Sequence, residues 1–303
     1  MNSSPLPEFK KYLDPAIISR TGTLDIKARL IVEGFLLGLH KSPYHGFSIE
    51  FSQHRPYIQG DAPKDIDWKV YAKTDRFFVK QYEEETNLKC HIILDMSKSM
   101  DFSHAGRVKK FEYGSYLAAA LSYLLLKQQD AAGLILYADT VKKMLPPRAS
   151  QQYLKEILTS LAQAQPSGKT QTASSLHQVA EKIKRRGLIV LISDFFDDAE
   201  SVKSALKHFA FNKNEVIVFQ VLDPAEIEFA FGKDAIFRDM ESDEEMTTQP
   251  YQIQKAYQSA MKDFLATIKR ECLNNKIDYH LIDTSQPFDK ALYAFLQKRS
   301  HLK

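Results

Sequence analysis

The chain has 303 residues and 34.7 kDa, enough for one large domain or two ordinary ones. Apolar residues make up 44% and charged residues 26%, near globular averages, which excludes wholesale disorder and a fibrous chain. A total of 41 Lys and Arg against 38 Asp and Glu leaves a formal charge of +3, too balanced for affinity dominated by phosphate neutralisation. In chain order, a helical stretch from Thr23 to His40 comes first, with Ile26, Leu30, Ile31, Phe35 and Leu36 on one face. Phe47 to Phe51 then alternates like a strand, and Phe77, Phe78, Val79 and Tyr82 suggest another. Between them Gly60-Asp61 reads as a turn and Asp65 as the N-cap of a short helix.

From Leu88 strand and helix alternate. Strands are expected at Cys90–Asp95, Gly133–Ala138, Leu188–Ser193, Val216–Leu222 and Ile277–Ile282. Helices are expected at Lys109–Lys127, Gln151–Ala162, Ala173–Lys184, Ala199–Phe211 and Tyr251–Asn274. Short, continuously apolar strands such as HIILD and GLIVLIS suit a parallel sheet buried on both faces. The expected class is therefore α/β, with a doubly wound, mostly parallel sheet and right-handed crossovers. Residues 226–248 break the alternation and read as a strand pair leaving this layer to join the strands at 47–51 and 77–82. The resulting division is an N-terminal helix plus β subdomain over 1–87, completed by 225–250, and an α/β domain over 88–224 and 251–303. The longest apolar run, around Leu117 to Leu126, is about half of what spans a bilayer. MNSSPLPEFKKYLD lacks the pattern of a signal peptide, and Cys90 and Cys272 cannot make a disulfide framework or a Cys-rich zinc site. No membrane span and a cytoplasmic location are expected.

Asp95, Ser97 and Ser99 directly follow an apolar strand, and ligands of open α/β sheets sit at the carboxyl ends of strands. Their alternation lets one extended turn direct three oxygens to one point. One carboxylate and two hydroxyls form a hard-oxygen set suited to Mg²⁺, with Mn²⁺ as the alternative. Thr170, before the helix near Ala173, and Asp194, after the strand ending at Ser193, belong to the same sheet edge. Asp95 itself is expected as a surface carboxylate at a strand end.

These five residues resemble the metal-ion-dependent adhesion site of a von Willebrand factor A domain, a Rossmann-type α/β fold. Beyond them, GFSIEF (46–51), RPYIQGDAPKDIDWKVYAKTDRFFVKQYEEE (55–85), LDMSKSM (94–100) and VLDPAEIEF (221–229) resemble the bacterial family of domain of unknown function fifty-eight. That resemblance covers nearly the whole chain, and the block at Gly60, Asp61, Ile66, Asp67 and Trp68 is more specific than the metal motif. It implies components encoded beside MoxR-type AAA+ ATPases and hence a non-enzymatic adaptor or chaperone-like role. By analogy Ser97, Ser99 and Thr170 would coordinate the cation directly and Asp95 and Asp194 through water. The cation would then grip an Asp or Glu carboxylate of a protein partner. Gln171 and Thr172 follow Thr170 where the family often has an acidic and an aliphatic residue, so a weaker local charge is expected.

Other signals are weaker. Ser167-Gly168-Lys169-Thr170 imitates the end of a phosphate-binding loop, but position 163 is Gln and a helix, not a strand, precedes it. His91 and His280 fit as satisfied core or edge histidines. A Mg²⁺-dependent hydrolase at the same edge is the alternative from another class, although no nucleophile and base stand out. Residues 57–80 interleave aromatics with Lys and Arg, but nearby Asp and Glu offset them, so nucleic-acid binding ranks below internal packing, with Trp68 buried.

Overall fold

The computed structural model describes residues 8–40, 54–57, 66, 68–80, 88–168, 172–183, 186–211, 214–229, 231, 235–238, 245–248 and 250–300. The expected strand at 47–51, the Gly60-Asp61 turn, the Asp65 cap and Thr170 lie outside them. At the N-terminus, α1 (Pro15–Ser19) and α2 (Leu24–His40) precede β1 (His54–Pro56), α3 (Trp68–Thr74) and β2 (Phe78–Lys80). β1 and β2 pair antiparallel. Next come β3 (Lys89–Asp95), α4 (Lys110–Lys127), β4 (Ala131–Tyr137), β5 (Val141–Arg148) and α5 (Gln151–Gln163). α6 (Thr172–Lys182), β6 (Leu188–Ser193), α7 (Ala199–Phe211) and β7 (Glu215–Leu222) follow. The chain continues with α8 (Pro224–Glu228), β8 (Ala235–Arg238), β9 (Glu245–Thr248), α9 (Pro250–Asn274), β10 (Asp278–Asp283) and α10 (Asp289–Ser300).

Six strands form the central sheet in the order β10-β7-β6-β3-β4-β5, all parallel except β5. The chain starts the sheet in the middle, at β3, builds outward through β4 and β5, then returns to the other side of β3 with β6. That reversal puts the switch point of the sheet, where open α/β sheets take their ligands, at the carboxyl ends of β3 and β6. Strand side chains alternate between faces. Ile92 and Leu94 pack with α4, α5 and α10, whereas Ile93, Ile189 and Leu191 pack with α6, α7 and α9. The sheet is therefore covered on both faces, as its continuous apolar strands require.

α4 is apolar nearly all round because α2 covers the side facing away from the sheet. Ile31, Val32 and Phe35 of α2 belong to the same core as Leu117, Leu121 and Leu124 of α4. Gly114 permits the close approach to the sheet: a Cβ there would stand 2.8 Å from Leu94 Cδ1. The N-terminal helix is thus part of the α/β core, which corrects its expected place beside the β elements. Its expected apolar face is rotated too, since Ile26 is 46% exposed.

β structure and aromatics also differ from expectation. β5 was not expected, because Lys142, Lys143, Pro146 and Pro147 lack strand alternation. An edge strand tolerates proline, and Gly133 lets β5 approach β4 so closely that a Cβ would meet the Leu145 carbonyl oxygen at 2.7 Å. Residues 235–238 and 245–248 do form a strand pair outside the main sheet, but among the described residues it pairs only with itself. Glu226 lies in α8 rather than in a strand. Trp68, expected to be buried, is 57% exposed and stands edge-on to Tyr71 and Phe77.

Candidate metal centre

Asp95 ends β3 at the switch point. Register places Tyr137 of β4 and Ser193 of β6 beside it. The Tyr137 hydroxyl donates to Asp95 Oδ2 at 3.3 Å, and Ser193 Oγ donates to the same oxygen at 2.6 Å. The Ser97 amide donates to Oδ1 at 2.8 Å. Asp95 is fully buried, so the expected surface carboxylate is corrected to one held by three neutral donors. Burial, and then the charge of Asp194, pushes its carboxyl up to about 6 against the hydrogen bonds from Ser193 and Ser97. The turn after Asp95 brings Ser97 Oγ within 3.0 Å of Ser99 Oγ. Among the described residues no three His, Cys, Asp or Glu side chains gather as a metal cluster, so any cation here relies on hydroxyls.

Asp194 follows β6 on the same edge as Asp95. Its Oδ2 accepts from Lys110 Nζ at 2.7 Å, and Lys110 also donates to Glu226 Oε1 at 2.7 Å. Lys110 has no solvent exposure and lies 4.6 Å from the centre of the Phe196 ring. Burial alone would lower its pKa, but the charges of Asp194 and Glu226 outweigh burial and hold the ammonium above its ordinary value. Glu226 is the softer partner: burial raises its carboxyl despite Lys110. Glu226 Oε2 accepts the Asp223 amide, closing a capping box at α8 with Pro224 as the first helical residue. Asp223 Oδ1 accepts from Arg107 at 3.1 Å. Asp194 itself is held by Gln220, which donates to its carbonyl oxygen at 2.8 Å and accepts from Tyr279 at 2.7 Å. The next residue, Phe195, is buried with φ of 59°, a left-handed conformation that a non-glycine residue adopts only under tertiary constraint.

Thr170 is outside the described residues, but both flanks reach this edge. The Ser167 amide donates to the Met96 carbonyl at 2.8 Å, and Gly168, with φ of 81°, accepts from the Lys98 amide at 3.4 Å. Beyond it the Ala173 amide donates to Asp197 Oδ2 at 3.2 Å. The structure thus joins Asp95, Ser97 and Ser99 directly, sets Asp194 close enough to act on Asp95 electrostatically, and commits Asp194 Oδ2 to Lys110. Lys110, Glu226, Asp223 and Gln220 were missed in the sequence. The Asp223-Pro-Ala-Glu226 capping signature was readable there, but nothing local marks Lys110 as buried. His91 at the other end of β3 is a further correction: it is buried and its Nδ1 has no hydrogen-bond partner among the described residues.

No described helix is long and apolar enough to cross a membrane. The chain is 28% identical over 232 residues to an uncharacterized protein of Mycobacterium tuberculosis, covering 76% of this chain and 72% of that one. Among solved structures it is similar to BatB, a conserved hypothetical protein from Bacteroides thetaiotaomicron. That match has 17% identity and a TM-score of 0.48 over 70% of this chain and 97% of the other. An aerotolerance-related membrane protein from Bacteroides fragilis, with multiple mutations to serines, is 18% identical with a TM-score of 0.45. It is matched over 69% of this chain and 98% of its own length. The family described as protein of unknown function DUF58 matches residues 53–266, well over half of the sequence, and the chain belongs to it.

Proposed function

We propose that the α/β unit is a von Willebrand factor A-like domain that binds Mg²⁺ at its switch-point edge. Through the cation it would hold a carboxylate of a protein partner, as a cytoplasmic adaptor working with a MoxR-type AAA+ ATPase. The observation carrying this reading is the 3.0 Å separation of Ser97 Oγ and Ser99 Oγ. Neighbouring ligands of an octahedral cation at about 2.1 Å stand about 3.0 Å apart, so the pair fits one edge of a Mg²⁺ coordination sphere. Charge supports it as well. Lys110 answers Asp194 and Glu226, whereas the buried Asp95 on the same edge is held by the neutral donors Ser97, Ser193 and Tyr137. A divalent cation would balance the remaining excess.

In this reading Ser97, Ser99 and Thr170 hold the cation, and Asp95 orients the turn while supplying charge. Asp194, engaged by Lys110, acts at longer range. A cation bound mainly by neutral hydroxyls keeps strong attraction for an outside carboxylate. Binding rather than turnover is the proposed activity. Thermal melts with and without Mg²⁺, paired with capture of the purified MoxR-type ATPase, test it using Ser99→Ala. The wild type should gain melting temperature and capture the ATPase only in Mg²⁺, and the variant should do neither. Equal Mg²⁺ shifts in both proteins would remove the metal site. Hydrolytic turnover lost in Ser99→Ala would favour the hydrolase instead.

A further inference from the structure

A second site lies away from the strand ends, where the first turn of α2 meets α4 and the end of α5. A cavity of about 300 Å³ opens there, at the small end of the range for ligand pockets. Three buried hydrogen-bonding side chains line it, Lys27, Ser115 and Tyr116, beside the more exposed Asp101, Lys109 and Glu112. Lys27, only 9% exposed, donates to the Ser19 carbonyl at 2.9 Å and the Tyr116 hydroxyl at 3.0 Å. An ammonium has three N–H donors, and no carboxylate among the described residues pairs with Lys27. Burial lowers its pKa while Glu112 works against that, the balance of a cation short of a counter-charge. Tyr116 accepts from Lys27 and keeps its own proton to give. Ser115, 5% exposed, has a hydroxyl with no hydrogen-bond partner among the described residues. Such an orphaned buried hydroxyl calls for an explanation.

Among the buried side chains of this wall, Lys27, Ser115 and Tyr116, donors outnumber acceptors. The apolar part of the lining is chiefly Phe111, Leu161 and Ala162. At the rim Asp101 pairs with Lys109 at 2.7 Å, and Glu112 is exposed, so a multiply charged anion would meet two carboxylates on its way in.

We propose that this cavity binds a small organic monocarboxylate, its oxygens accepting from Lys27, Ser115 and Tyr116 and its apolar body lying on Phe111, Leu161 and Ala162. Two sources share that chemistry, a free carboxylic acid and the C-terminal residue of a peptide. Calorimetric titration of the full chain with benzoate, isovalerate, benzamide and inorganic phosphate tests the chemistry. A short alanine peptide ending in leucine, with free or amidated C-terminus, separates the sources. Saturable binding of a carboxylate, but not of benzamide, the amidated peptide or phosphate, is expected. Lys27→Met should weaken it about tenfold or more, as for loss of a charged hydrogen bond. Ser115→Ala breaks no bond within the protein, should fold as the wild type does and should weaken binding about threefold. It keeps the test decisive if Lys27→Met fails to fold. No binding by any carboxylate, unchanged binding in Ser115→Ala, or equal binding of benzamide or phosphate would overturn the proposal.

Discussion

Two clusters share the carboxyl edge of the sheet and bury charge in opposite ways. Under α8, Lys110 sits between Asp194 and Glu226 at 2.7 Å from each, so the protein carries its own cation. Beside it Asp95 is equally buried, and among the described residues it accepts from the neutral donors Ser97, Ser193 and Tyr137. The first cluster is closed: its charges answer one another and tie α4, β6 and α8 together. The second is open, with a carboxyl raised to about 6 and two hydroxyls facing each other. The difference teaches that equal burial can leave one carboxyl answered by an ammonium and another held by neutral hydroxyl and amide donors.

The largest test breaks the closed cluster. Lys110→Met leaves two buried carboxylates without their ammonium and should cost about 3–5 kcal/mol in urea denaturation. A loss below about 1 kcal/mol would mean that the cluster is not the structural half of the edge. Next in size is the amino end of β3, where His91 contrasts with both clusters because its Nδ1 has no partner among the described residues. Burial lowers its pKa from 6.5 to about 4. Between those values the unfolded chain binds more protons than the native one, so stability falls as pH falls through that window. The loss has a ceiling of about 3 kcal/mol. His91→Leu should flatten this slope between pH 6.5 and 4 in denaturation series, and an unaltered slope would assign it to other groups.

Asp95→Asn sharpens the comparison. It keeps one acceptor for the surrounding donors and should cost about 1–2 kcal/mol without metal, clearly less than Lys110→Met. An equal loss in the two variants would erase the distinction between open and closed halves. The smallest effect is expected for Ser99→Ala in chelator, below about 1 kcal/mol. Saturation with Mg²⁺ at 100 times its dissociation constant should stabilise the wild type by about 2.7 kcal/mol and leave this variant unmoved.

Most of the main sheet was legible because its strands are short continuous apolar runs and its helices carry a clear period. Leu188–Ser193 and Ala199–Phe211 match to the residue. β5 was not legible, since an edge strand with one neighbour needs neither alternation nor a full set of amide donors. Trp68 misled because apolar character shows that a side chain prefers burial, not that the fold provides it. On the candidate site, the sequence was informative about Asp95, Ser97 and Ser99, which one turn delivers together. It was silent on Lys110, whose partners lie 84 and 116 positions away.

The sequence by itself determined the alternation of buried strands and amphipathic helices and the turn that gathers Asp95, Ser97 and Ser99. These follow from spacing along a few residues. Only the tertiary structure decided that α2 covers α4, that Asp194 answers to Lys110, and that Lys27, Ser115 and Tyr116 line one cavity. Each of these depends on which distant side chain removes water from a charge or hydroxyl, and then on whether it supplies a partner. No local pattern encodes that choice, because desolvation and pairing are properties of the packed neighbourhood.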